Sequence, residues 1–172
     1  MRGQIWVETV LYTLLGLALM GLVLAFALPK ITAAQERAVV EQSVQSMSTL
    51  YDGIETVQTR GVGNVKAVTL VLHAGNVILD GVNDSILLVL PEQKSKYSQP
   101  GSSIDKGGIT VLTEEKAGLY QVTLSFALPR TNLTIDGKDE RKTLTAVSTS
   151  YRITVSALGT QEGKMVLSLE TS

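Results

Sequence analysis

Thr9 through Leu28 contains no charged residue, and no other stretch constrains the fold as strongly. A helix rises about 1.5 Å per residue, so these twenty residues reach roughly 30 Å, the thickness of a bilayer's hydrocarbon core. A segment of that length and oiliness spans a membrane or is buried among other helices. It also raises the mean hydropathy of the chain to +0.21, although everything beyond Lys30 has the composition of a soluble domain.

The pattern after the run predicts that the helix continues from about Gln4 to about Gln58. Val40, Val44, Met47, Tyr51 and Ile54 recur in steps of four and three, which places one apolar stripe on a face otherwise rich in Gln, Glu, Ser and Thr. Pro29 has no N–H to donate and its ring crowds the preceding turn, so a kink is expected there. Gly53 interrupts the stripe, and "RGVGN" (Arg60 to Asn64) ends the helix.

From about Val65 onward the sequence reads as strands. "VKAVTLVLH" and "NVILD" flank Ala74-Gly75, a hairpin signal; "ITVLT" and "LYQVTLSFAL" bracket "EEKAG", another. Between these pairs, "EQKSKYSQPGSSIDKGG" is expected to be a surface loop. "NLTI" and the closing "TLTAVSTSYRITVSAL" and "KMVLSLET" add further strands. The fold class implied is α+β: a long hydrophobic N-terminal helix followed by an antiparallel β-sandwich or barrel-like head. Residues 1–3 form a short preceding segment, 4–60 the helix and 61–172 the head. The stripe from Val40 to Ile54 is expected to pack on the sheet while the first half of the helix projects.

Several function classes are disfavoured by composition. A formal net charge of -1 gives no basic balance to attract nucleic acid. With no Cys and a single His, His73, the chain offers no thiol catalysis, disulfide scaffold, thiolate metal site or His-rich metal site. "DGVND" and "DGKDE" lack the spacing of a calcium loop and have the residues that turns need. There is no phosphate loop, nucleophile elbow or framework of paired carboxylates. No enzymatic activity, cofactor or metal is therefore expected.

The amino-terminus carries the most specific signal. "RGQIWVETV" places Glu8 at the mouth of the oily run, where a lone carboxylate costs at least a few kcal/mol in hydrocarbon unless it is paired or neutralised. A secretory signal peptide accounts poorly for this, because the run is long, has an acid at its front and leads into an amphipathic helix. The segment resembles type IV pilin-like proteins, most closely the archaeal group whose short basic leader ends in Gly before a mature chain that starts with Gln. Arg2 matches the basic leader residue, Gly3 the residue before the cut and Gln4 the first mature residue. Glu8 is then fifth, where the family carries an acid, and Pro29 matches a proline found late in the helix of many members. Two features depart from the pattern: the leader has three residues, and Trp6 and Val7 are larger than the small residues frequent there.

The resemblance implies a filament subunit that is held in the membrane until a prepilin peptidase removes the leader. It would then join a helical homopolymer of identical subunits through the assembly machinery, with adhesion as its expected role. Glu8 would face the new α-amino group of a neighbour's Gln4. Gly21 and Ala25, a small-xxx-small pair, would let helices approach closely in the core. Asn83 and Asn132 begin the sequons "NDS" and "NLT" and are candidate N-glycosylation sites. The expected location is the membrane, with the N-terminus cytoplasmic, before assembly and the cell surface after it. A single-pass anchor with an extracellular β binding domain, or a minor pilin-like subunit, is the alternative.

Overall fold

The computed structural model describes residues 2–147 and 149–172, and the side chains of all of these except residues 2–5. Met1, the first residue of the expected leader, lies outside the described residues.

One helix, α1, runs without interruption from Arg2 to Arg60, through Pro29. It ends where "RGVGN" requires. Gly61 takes a φ of 84°, and its N–H donates to Val57 O (3.1 Å) and Gln58 O (3.2 Å), closing the last turn. The Asn64 side chain then donates to the carbonyls of Arg60 and Gly61, each at 3.0 Å. Arg60 adds a cation in the last turn, where the helix dipole favours one.

The head holds ten strands: β1 (Val65–Leu70), β2 (Asn76–Asp80), β3 (Ser85–Gln93), β4 (Ser103–Lys106), β5 (Ile109–Lys116), β6 (Leu119–Ala127), β7 (Thr131–Ile135), β8 (Arg141–Thr145), β9 (Tyr151–Gln161) and β10 (Lys164–Thr171). They form a four-stranded sheet, β1-β9-β10-β7, and a six-stranded sheet, β4-β5-β6-β3-β2-β8. Pairing is antiparallel throughout except for β7 beside β10, which is parallel. The layout is the α+β one read from the sequence, a long helix followed by a β-rich head.

Three local expectations change. Ala74-Gly75 is not a hairpin: β1 pairs with β9, β2 pairs with β3 and β8, and the chain changes sheets at this point. Gly75 is needed there because a Cβ would lie 2.1 Å from Val89 O. The polar stretch from Glu92 to Gly108 is not all loop, since it carries the short edge strand β4. "TLTAVSTSYRITVSAL" is not one strand but two in different sheets, β8 and β9. The "EEKAG" hairpin does form. Ala117 (φ 53°) and Gly118 (φ 81°) make its two-residue turn between Lys116 and Leu119.

The second half of α1 belongs to the head's core. Val40, Met47, Leu50, Ile54 and Val57 are fully buried and join the inner residues of both sheets in one cluster. The buried line therefore runs slightly to one side of the expected stripe. Leu50 and Val57 replace Val44 and Tyr51, which stand half-buried on its shoulder. Tyr51 meets Phe126 of β6 edge-on, with ring centroids 5.2 Å apart. Ser43 sits within the buried line because its hydroxyl donates to Val39 O at 2.8 Å, so no polar group is stranded.

Candidate functional site: the projecting helix

The first half of α1 leaves the head with no intramolecular cover. From Trp6 to Ile31 its large apolar side chains range from 41% exposed at Val10 to 76% at Trp6. The helix is long and apolar enough to cross a membrane, with a mean hydropathy of 2.3 over its most apolar window. Each such side chain gains about 1.5–3 kcal/mol on leaving water, so this surface requires lipid or protein around it.

Its polar groups are arranged accordingly. Thr13 Oγ1 donates to Thr9 O (2.7 Å) and Val10 O (3.0 Å), and Thr32 Oγ1 donates to Leu28 O (3.1 Å). Hydroxyls satisfied within the helix carry no hydrogen-bond debt into hydrocarbon. Glu8 is exposed and makes no ion pair among the described residues. It is the one acid between Arg2 and Lys30, and no Lys or Arg lies between those two residues.

Gly21 and Ala25 are both exposed, one turn apart, and a Cβ on Gly21 would meet nothing within 4 Å. Pro29 lies one further turn along the same line. Lacking an N–H, it leaves Ala25 O without its helical donor, so the carbonyl and the small surface coincide. Gly3 and Gln4 lie in the first helical turn.

The two sequons are structurally engaged. Asn83 is exposed in the turn after β2, where its Nδ2 donates to Asp80 Oδ2 (2.8 Å) and its N–H to Asp80 Oδ1 (3.1 Å). Asp80 is buried and also accepts from Arg141 Nε at 2.7 Å. Burial pushes its pKa up, but the hydrogen bonds from Arg141 and Asn83 together hold it below the ordinary carboxyl value. Asn132 lies half-buried on β7, and the hydroxyl of its sequon, Thr134 Oγ1, donates to Leu167 O at 3.2 Å.

A polar strap where the stalk enters the head was not legible in the sequence. Glu36 accepts the backbone N–H groups of Lys94 (2.9 Å) and Ser95 (2.8 Å). Glu41 accepts from Tyr97 Oη (2.7 Å) and pairs with Lys106 (2.8 Å), while Lys106 also bonds to Tyr97 Oη. Arg37 lies 5.7 Å from the centroid of the Tyr97 ring. The one available clue was an aromatic residue inside a polar stretch. These contacts tie residues 94–106 to α1 and fix the angle at which the stalk leaves.

His73 is exposed, and among the described residues no three His, Asp or Glu side chains gather where they could hold a metal. No protein-family model, curated protein or solved structure matches the chain.

Proposed function

We propose that this chain is a structural subunit of a type IV pilus-like surface filament of the archaeal kind, with adhesion as its expected role. The observation that carries the reading is the contrast within one helix. Its second half is locked into the β head, and its first half exposes some 30 Å of apolar surface (about 1.5 Å per residue) with an acid at the far end.

In this reading the stalk is held in the membrane with its N-terminus cytoplasmic until a prepilin peptidase cuts between Gly3 and Gln4. The assembly machinery then moves it into a bundle of identical stalks. Lipid tails are as apolar as leucine, so leaving them gains little from hydrophobicity alone; close fit and charge pairing must supply the drive. Gly21 and Ala25 provide the fit. Glu8 and the new α-amino group of Gln4 on a neighbour provide the charges, which attract far more strongly in a low-dielectric core than in water. The heads face outward and make the contacts with surfaces.

Electron microscopy of surface material, together with mass spectrometry of the purified chain, tests this. The expected result is thin filaments built of chains that start at Gln4. Membrane-retained chains that start at Met1, without filaments, would overturn the proposal in favour of a single-pass anchor with a β binding domain.

A further inference from the structure

Both ends of the uncharged run mark how the stalk would sit in a bilayer. Trp6, the only tryptophan of the chain, precedes the run by less than one turn, and Lys30 follows it by two residues. Tryptophan and lysine are residues that anchor helices at membrane–water interfaces. With the hydrocarbon ending at Leu28, a rise of about 1.5 Å per residue puts Ala33 about 7.5 Å beyond it and Glu36 about 12 Å beyond it. The headgroup layer on each side is itself about 5–8 Å deep. Ala33 therefore stands at its outer edge, with Glu36 one turn above.

The polar strap comes down to this level. Its Lys94 and Ser95 N–H groups bond to the Glu36 carboxylate, and helix side chains lean toward the N-terminus, here toward the bilayer. A small crevice is lined by Ala33 and Glu36 on one side and by Ser95 and Lys96 on the other. Lys94 and Lys96 are exposed and, like Lys30 and Arg37 on α1, form no ion pair among the described residues. The Glu41–Lys106 pair lies higher, and so does Asp105, which accepts from Gly108 N beside Tyr51. Register brings the β5–β6 hairpin to the row of Gln93 through Tyr120 and Glu115, and there Glu114 pairs with Lys116 (3.6 Å). Glu36 being held by backbone N–H groups, the acids left around the strap are Glu92 and Glu115, against those four cations.

We propose that the strap is also a foot: while the stalk spans the membrane, residues 94–97 rest on the leaflet from which it emerges, and Lys94 and Lys96 contact phosphates of anionic lipid headgroups. The contact rests on the membrane stage of the reading above. A lipid surface is the occupant because it continues the contact the stalk already makes, and the tether holds the strap beside it at high effective concentration. The flexible four-carbon stem of lysine covers the few ångströms that remain. Each cation held near an anionic membrane surface favours the contact by about fivefold.

The chain has no cysteine, so a fluorophore can be attached at one chosen place. Gln99 is exposed beside the foot, and Gln161 is exposed at the end of β9, which runs on past the last turn of α1. Full-length Gln99→Cys and Gln161→Cys are labelled and reconstituted into vesicles of phosphatidylcholine and phosphatidylglycerol that carry a nitroxide quencher on the headgroup. The label at 99 should be quenched and the label at 161 should not. Quenching at 99 should fall with added salt, which shortens the screening length from about 10 Å at 0.1 M to about 3 Å at 1 M. Lys94→Gln combined with Lys96→Gln should weaken the surface contact roughly 25-fold, about fivefold for each lysine. Equal quenching at both labels, or quenching at 99 that neither salt nor the double variant moves, overturns the foot and leaves the filament reading standing. Chains that alkaline carbonate strips from the vesicles overturn the membrane stage itself, and the foot with it.

Discussion

Gly53 of α1 faces Val68 of β1 across so narrow a gap that a Cβ at position 53 would lie 2.5 Å from Val68 Cγ2. The helix meets β1 here at a residue with no side chain to intrude. Val68 is β-branched and stiff about χ1, so its methyl group has no easy way to swing aside. An alanine in an open helix position gains about 1 kcal/mol over glycine, whereas overpacking a filled core costs about 1–3 kcal/mol. Gly53→Ala should therefore lower stability, by up to about 2 kcal/mol once the two effects combine. Thermal unfolding of the detergent-solubilised chain measures it, and adding Val68→Ala should recover part of the loss. A raised melting temperature in Gly53→Ala would show that the helix can move away.

That contact also shows which parts of the fold could be read in advance. The helix, its end at "RGVGN" and most strands follow from local periodicity and turn chemistry, which neighbouring residues determine. Pairing is another matter. β1 finds β9 some ninety residues later, and β7 lies parallel to β10; neither leaves a local trace. Gly53 looked like an interruption of the stripe because its reason, Val68, belongs to a different element. Within the stalk, Glu8, Gly21, Ala25 and Pro29 stand out because they share one continuous run. What they would meet in an assembly does not stand out, because the projecting half of the helix packs on none of the described residues of the head. The strap was hidden because it forms only when residues 94–106 fold back on α1.

The strap should respond to pH at both extremes. The Lys106 hydrogen bond, followed by that from Tyr97, holds Glu41 below its ordinary pKa, and the same bond to Glu41 holds Lys106 above its own. The Glu41 contribution is complete above the ordinary carboxyl value of 4.5 and is lost as pH falls through the depressed pKa. The Lys106 contribution is complete below 10.5 and is lost as pH rises through the raised pKa. Both groups are partly exposed, so the pair contributes only about 0.2–1 kcal/mol to global stability. The clearer readout is local. Lys106→Met should speed amide hydrogen exchange across residues 94–106 at neutral pH while leaving β9 and β10 protected. Unchanged exchange would remove the strap as the element holding this segment.

Asp80 makes a stronger case because its side chain is only 5% exposed, against 58% for Arg141. Its net pKa is lowered, so it stabilises the fold above the ordinary carboxyl range, and that contribution disappears as pH falls through the depressed value. In Arg141→Gln, burial dominates and the carboxylate becomes a liability at neutral pH. Removing one partner from a buried, hydrogen-bonded charge costs about 1–3 kcal/mol. The variant should be less stable than wild type by that amount at pH 7, with the gap closing as both proteins are acidified. Denaturant titrations at several pH values measure it, and a gap independent of pH would rule out Asp80 as the group responsible.

Glu8 is the residue on which the proposed assembly turns. It meets no ion-pair partner among the described residues, and the Thr13 hydroxyl further along α1 is bonded within the helix. If its partner is an amine created by cutting after Gly3, then losing the charge and blocking the cut should produce the same assembly defect by different routes. Glu8→Gln keeps the shape and a hydrogen-bonding head but removes the charge, so insertion into membranes should be unchanged while filament yield falls at least tenfold. That corresponds to about 1.4 kcal/mol of lost docking free energy, a modest demand on a charge pair in a low-dielectric core. Gly3→Val should leave the chain starting at Met1 or Arg2, equally membrane-bound and equally unassembled, with Glu8 intact. Filament counts by electron microscopy, paired with membrane fractionation and amino-terminal mass, read both variants. Normal filaments from Glu8→Gln, with the chain correctly cut at Gln4, would show that the acid has no part in docking.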